Sequence, residues 1–390
     1  MMQAIETIGP LGAAVAERLP AIAKRADEIE GTRHLPADIA QDLASIGIFD
    51  MLKPESLGGL EMAPLDIVAI LHAMARAEAS VGWCAMIGAT TAVNAAYMPH
   101  DVAKEVYGTP GIITGGVFAP MGRADDMGDH YKVSGRWQWG SGNINCHWLC
   151  GGAMIFEDDE LQRLDNGAPY HRMMLFPADE VERIDTWHVM GMRGTGSGDL
   201  AVKDVMVPKA RSVSLIVDTP VEQGPLYTFP VFGMLAMGVA SVALGNAAGA
   251  LDEIKAMAKA KKNPATGKTM AERQVTQFDI AKAEAKLGAA EAYFREAIAT
   301  CWEAATSTGE LTPEHRAQLR LAGAYSTECA ADVAKTAYTL GGGAAVYETS
   351  NLQRRFRDAH VATQHIATAH GVYELAGRIS LDLPTDTAML

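Results

Sequence analysis

Three histidines, His360, His365 and His370, stand five residues apart in the run "RRFRDAHVATQHIATAHGVYELAGR", residues 354–378. An imidazole can hold a metal, move a proton near neutral pH or donate a hydrogen bond. The spacing narrows these choices. On one continuous helix each residue turns about 100°, so a step of five turns about 140°. The three rings then point in three directions. They cannot share a metal, which wants i, i+4 spacing. At most one faces a given pocket, and the other two cap or solvate the helix surface.

Other chemistry-bearing patterns are incomplete. Cys146 and Cys150 bracket His147 as C-x3-C, but no second ligand pair follows, so zinc is not expected. "NPATGKT" (263–269) resembles the end of a phosphate loop, yet Lys262 stands where the first glycine is needed. "GTGSGD" (194–199) and "GGGAAV" (341–346) each lack the third glycine of a dinucleotide fingerprint, and neither sits between a strand and a helix. There is no G-x-S-x-G elbow to present a serine nucleophile. The chain is therefore expected to carry no ATP or NAD site of its own.

The elements that must position these groups fall into three stretches of the 390 residues. Residues 1–110 read as helical; "HLPADIAQDLASIGIFDMLKP" has helical apolar spacing, with Pro36 near its start and Gly47 at its end. Residues 111–215 hold short alternating runs between glycines, with Tyr131, Val133, Trp137 and Trp139 keeping period two, as in a β-rich domain. Residues 216–390 return to helical spacing, and four long segments there are enough for a bundle. One of them, 228–251, carries no charge and is long enough to span a bilayer, but it is rich in Ala, Gly and Ser. Ser241, Gly245 and Gly249 stand four apart and would admit a neighbouring helix, so a buried bundle helix is expected.

A net charge of −14 argues against nucleic acid or an anionic membrane as partner. Five scattered cysteines and the lack of a signal-peptide pattern suggest a reducing, cytoplasmic setting without disulfides.

The order helical–β–helical, with "SVGWCAMIG", "FAPMGRADDMGDHYKVSGRWQWGSGNINCHW", "MRGTGSGDLAVKDVMVP" and "LGGGAAVYETSNLQRRFRDAH", resembles the acyl-CoA dehydrogenase superfamily over almost the whole chain. Within it the sequence is most similar to the reduced-flavin monooxygenases that hydroxylate aromatic compounds. The resemblance implies an N-terminal helical domain (1–110), a middle β-barrel (111–215) and a C-terminal four-helix bundle (216–390). It implies reduced flavin, FADH2 or FMNH2, brought by a separate NAD(P)H:flavin reductase, with O2 and a small aromatic substrate, in a homotetramer. A dehydrogenase would need a carboxylate to take a proton from its thioester. The two family positions fall at Ile366 and near Leu235, and neither 359–373 nor 228–251 contains Asp or Glu.

The same resemblance assigns site residues. His365, by its register after Arg357-Asp358, is the histidine that stabilises a flavin hydroperoxide. Ser141 holds the flavin N5 or O4, Trp139 supplies an apolar wall, and Phe118 is a further cofactor-binding residue. Gly341, Gly342 and Gly343 resemble a turn that meets a neighbouring subunit's flavin, and Arg273 would reach a flavin phosphate. Trp83, Thr91 and Asn94 would line the substrate. Phenol-hydroxylating relatives carry a histidine where this chain has Thr91, so an indole or other neutral aromatic is favoured over a phenolate. Two other readings stay open: an acyl-CoA dehydrogenase with an unlocated base, and an N-hydroxylating flavoenzyme of the same fold. A non-catalytic assembly protein that kept the fold is a third, told apart by whether flavin binds.

Overall fold

A computed structural model describes residues 5–390. Six helices come first: α1 (Gly9–Lys24), α2 (Ala26–Thr32), α3 (Ala37–Ser45), α4 (Pro64–Ala77), α5 (Ala79–Thr91) and α6 (His100–Tyr107). Helix α3 starts directly after Pro36 and stops before Gly47, whose φ of 90° suits a residue without Cβ. Helix α5 begins where Glu78 caps it, accepting the Val81 N–H at 2.7 Å. It is apolar on nearly every side, and it packs against α4 and the sheet as well as the long helix described below.

The sheet has eight strands: β1 (Thr114–Asp126), β2 (His130–Trp137), β3 (Trp148–Glu157), β4 (Glu160–Leu161), β5 (His171–Pro177), β6 (Glu182–Ile184), β7 (Asp199–Pro208) and β8 (Ser212–Val213). Their order is β6-β7-β2-β1-β3-β5-β8, with β4 added to β3. Only β1 and β3 run parallel; the other neighbours are antiparallel. Among the described residues no pairing joins β6 to β8, so the hydrogen-bonded ladder is open where a closed barrel was expected. Trp137 is fully buried, and its indole fills space that only glycines leave: a Cβ on Gly122 or Gly151 would meet it at 2.5 Å. The anticipated alternation ends there. Trp139 lies beyond β2, with φ 71° and 62% of its surface exposed.

The remaining helices are α7 (Pro225–Thr228), α8 (Val231–Ala260), α9 (Gln274–Ser307), α10 (Pro313–Gly341), α11 (Asn351–Ala362) and α12 (Gly371–Ser380). The charge-free run becomes the first part of α8. That helix is long and apolar enough to cross a membrane, yet 89% of its most apolar window is buried within the protein. A Cβ on Gly245 would meet the His72 carbonyl at 2.2 Å, so α4 does approach there closely.

The fourth long helix is not continuous. It breaks after Ala362 into a 3-10 turn, Ile366–Thr368, and then α12. The reason is local. His365 takes an extended ψ of 131°, and its Nδ1 accepts the Ala367 N–H at 3.2 Å. Thr363 Oγ1 donates back to the His360 carbonyl at 2.7 Å. Such side-chain bonds compete with the helix ladder. The angular argument from a straight helix therefore does not apply; each histidine has its own setting.

Candidate functional site

Trp83 is the centre of the grouping. Helix α5 presents it 8% exposed, and its Nε1–H donates to Ser141 Oγ at 3.1 Å. The same indole meets the His365 ring edge to face, with centroids 5.6 Å apart and planes at 72°. Three segments distant in sequence thus converge on one side chain.

Ser141 is held by the pairing of two glycine-rich loops. Gly140 N–H donates to Gly198 O at 2.9 Å, and Gly142 N–H to Thr195 O at 2.8 Å. Asn143 Nδ2 ties Gly140 O (2.6 Å) to Gly196 O (3.0 Å). Gly142 and Gly196, with φ of 70° and 55°, adopt the left-handed turns this requires. The run "GTGSGD", which fails as a dinucleotide motif, is therefore the mate of "WGSG". From Ser141 a line of contacts runs inward: Ser197 Oγ at 2.6 Å, Thr195 Oγ1 a further 2.6 Å on, then Met192 O at 2.8 Å. Met192 N–H ends the line on Asp358 Oδ1 at 2.6 Å. Thr195, Ser197, Met192 and Asp358 are all buried.

His365 is half-buried. Burial, and secondly the positive charge of Arg320, push it down to about 4. Its Nδ1 accepts from Ala367, so the ring hydrogen belongs on Nε2. With its titration lowered in this way, the ring is a neutral donor at neutral pH. Arg320 escaped sequence reading because one arginine on a long helix carries no signal. It is 8% exposed, with Nη1 on Met389 O and Nη2 3.5 Å from Ala367 O. His360 packs elsewhere, Nδ1 on Phe356 O at 2.8 Å and its ring 4.2 Å from Phe356. His370 is exposed at the start of α12.

The other anticipated residues divide. Trp139, strained in φ, leaves its indole open beside the Ser141 loop. Phe118 sits edge-on to Phe232 (5.2 Å) and His171 (5.5 Å), where β1 meets the start of α8. Thr91 Oγ1 meets Thr114 Oγ1 at 2.9 Å. Thr114 in turn lines a small void with Ser141, Cys84 and Gly88. Asn94 is 3% exposed, and its buried Oδ1 has no hydrogen-bond partner. Arg273 is exposed at the entry to α9, and Gly342 and Gly343 are exposed past α10. No hydrogen bond or ring contact among the described residues links these to the Trp83 grouping. Among the described residues no carboxylate bonds directly to Trp83, Ser141 or His365. Leu235 and Ile366 are apolar; of the buried acids, Glu78 and Asp358 accept backbone N–H groups, Asp199 is held by Arg136 and Thr186, and Glu291 faces His72.

The chain matches the models for the acyl-CoA dehydrogenase N-terminal domain over residues 13–105 and C-terminal domain over 237–370. It is 30% identical over 355 residues to indole-3-acetate monooxygenase of Pseudomonas putida, covering 90% of this chain and 89% of that one. It is 27% identical over 388 residues to the flavin-dependent monooxygenase oxygenase subunit HsaA of Mycobacterium tuberculosis, covering 97% of each. The crystal structure of 3-HSA hydroxylase from Rhodococcus sp. RHA1 superposes with a TM-score of 0.90 at 25% identity, covering 99% of this chain and 100% of that one. Fold and sequence agree: the chain belongs to the acyl-CoA dehydrogenase superfamily and, within it, to the flavin-dependent monooxygenases.

Proposed function

We propose that this chain is the oxygenase component of a two-component system, taking reduced flavin from a separate NAD(P)H:flavin reductase and inserting one atom of O2 into a small aromatic substrate. The observation that carries this is Trp83, which holds Ser141 on one side and a neutral His365 on the other. The site fits a flavin in two ways: an open, strained Trp139 for a planar ring, and a Ser141 oxygen with a lone pair to spare. Bound reduced flavin supplies two electrons to dioxygen, so that one oxygen enters the ring and the other leaves as water.

The protein's part is positional. His365 offers its Nε2 hydrogen to an oxygen in the site and, being neutral, keeps it. Asn94 Oδ1 asks for a hydrogen-bond donor. A neutral N–H, as on an indole, satisfies it; a phenolate oxygen would not. The relative named for indole-3-acetate supports the same substrate class.

The finer organisation is read the same way. Three domains, 1–110, 111–215 and 216–390, fit the change of element type at Thr114 and after Val213. The exposed Arg273, Gly342 and Gly343, with buried Gly341 at the end of α10, would serve a flavin shared across a homotetramer. The setting is cytoplasmic. Isotopically labelled dioxygen tests the whole reading: protein, reductase, FAD or FMN and an indole should give a product with one labelled oxygen. Label in no aromatic product, with flavin bleached instead by an acyl-CoA, would overturn it.

A further inference from the structure

We infer that Ser197 and Thr195 are positioning residues that turn the Ser141 hydroxyl hydrogen away from the cofactor, so that the site selects reduced over oxidised flavin. This rests on the reading above that Ser141 meets the flavin N5 edge.

The direction of every hydrogen in the line follows from its inner end. The Met192 carbonyl can only accept, so Thr195 Oγ1 donates to it at 2.8 Å. Thr195 has no second hydrogen, so at 2.6 Å it accepts from Ser197. Ser197 has then spent its own, so at 2.6 Å it accepts from Ser141. Ser141 also accepts from Trp83 Nε1–H at 3.1 Å. Its one hydrogen is committed inward and one lone pair remains. Met192 is itself fixed, in a left-handed φ of 52°, by its N–H on Asp358 and by Trp187 Nε1–H on its carbonyl at 2.9 Å. Ser197, Thr195 and Met192 are buried residues, so bulk water does not compete along the inner part of the line.

Reduced isoalloxazine carries a hydrogen on N5; the oxidised ring carries a lone pair there. An acceptor at Ser141 bonds the first and faces the second as like against like. A free serine hydroxyl would rotate and serve both. The discrimination thus lies in the two hydroxyls behind Ser141.

Anaerobic titration with reduced and oxidised FMN and FAD, followed by absorbance and fluorescence, gives the ratio of the two dissociation constants. Wild type should prefer the reduced form by at least about tenfold, and Ser197→Ala should narrow that preference by roughly five- to tenfold, the weight of one hydrogen bond. Thr195→Val should do the same, whereas Ser197→Thr and Thr195→Ser, which keep a hydroxyl, should not. Should Ser197→Ala fail to fold, Thr195→Val carries the comparison. A wild type that binds both redox forms equally, or an unchanged ratio in both hydroxyl-deleted variants, overturns the inference and leaves the proposed function standing. A wild type that binds neither form overturns the proposed function, and Ser141→Ala with both affinities unchanged removes Ser141 from the N5 edge.

Discussion

The indole of Trp83 donates its only hydrogen to Ser141 at 3.1 Å while its ring meets His365 at 5.6 Å. One side chain therefore sets the distance between an acceptor from the β-rich part and a donor from the helical part.

His365→Ala should still bind reduced flavin and consume oxygen, but release peroxide in place of product. Loss of one well-placed donor to a reacting oxygen is worth on the order of 100-fold in rate. His360→Ala and His370→Ala should change coupling little, since one ring packs on Phe356 and the other is exposed. Peroxide and hydroxylated product measured together check this; normal coupling in His365→Ala would remove the residue from the chemistry.

The pH profile carries the same assignment. With His365 pushed down to about 4 by burial and Arg320, its ring stays neutral from pH 8 down to about 5. Product per oxygen consumed should be flat over that span and fall only as pH approaches 4. An inflection near 6.5, the ordinary histidine value, would mean that the ring is solvated and charged in turnover.

Trp83→Phe keeps an aromatic ring on helix α5 and deletes the N–H to Ser141, together with part of the indole's volume. It should weaken reduced-flavin binding by about 1 kcal/mol, with the fold intact. Fluorescence titration beside a thermal melt separates the two effects. Unchanged affinity would show that the Trp83–Ser141 bond is incidental to the cofactor.

Glu78 gives a stability test. Burial first, then the nearby charge of Asp358, raise its carboxyl to about 7 from an ordinary 4.5. A group raised on folding favours the native state below its unfolded value, and that advantage is lost as pH climbs through the folded one. The shift corresponds to roughly 3 kcal/mol. Glu78→Gln keeps an acceptor for Val81 N–H without the charge, so it should match wild type near pH 4.5 and exceed it at pH 8. Urea unfolding at both pH values decides; parallel behaviour of the two proteins would sink the argument.

The chain should not oxidise NADH by itself, because neither "GTGSGD" nor "GGGAAV" completes a dinucleotide fingerprint. Protein, NADH, flavin and oxygen without reductase should show no NADH loss beyond the protein-free rate.

The sequence alone determined the order helical–β–helical, because hydrophobic period is a local property and changes near residues 111 and 215. It also determined the buried character of 228–251, through missing charge and small residues four apart. Tertiary structure decided the rest. His365 stands out from His360 and His370 because the helix breaks at Ala362 and Arg320, 45 residues earlier in the chain, lies behind the turn. The hydrogen of Ser141 points inward because "GTGSGD" folds against "WGSG" across a gap of more than fifty residues. Asn94 is an acceptor in want of a donor only because its surroundings leave Oδ1 buried and unpaired. Protonation state, hydrogen direction and burial depend on neighbours in space, and spacing along a chain does not encode them.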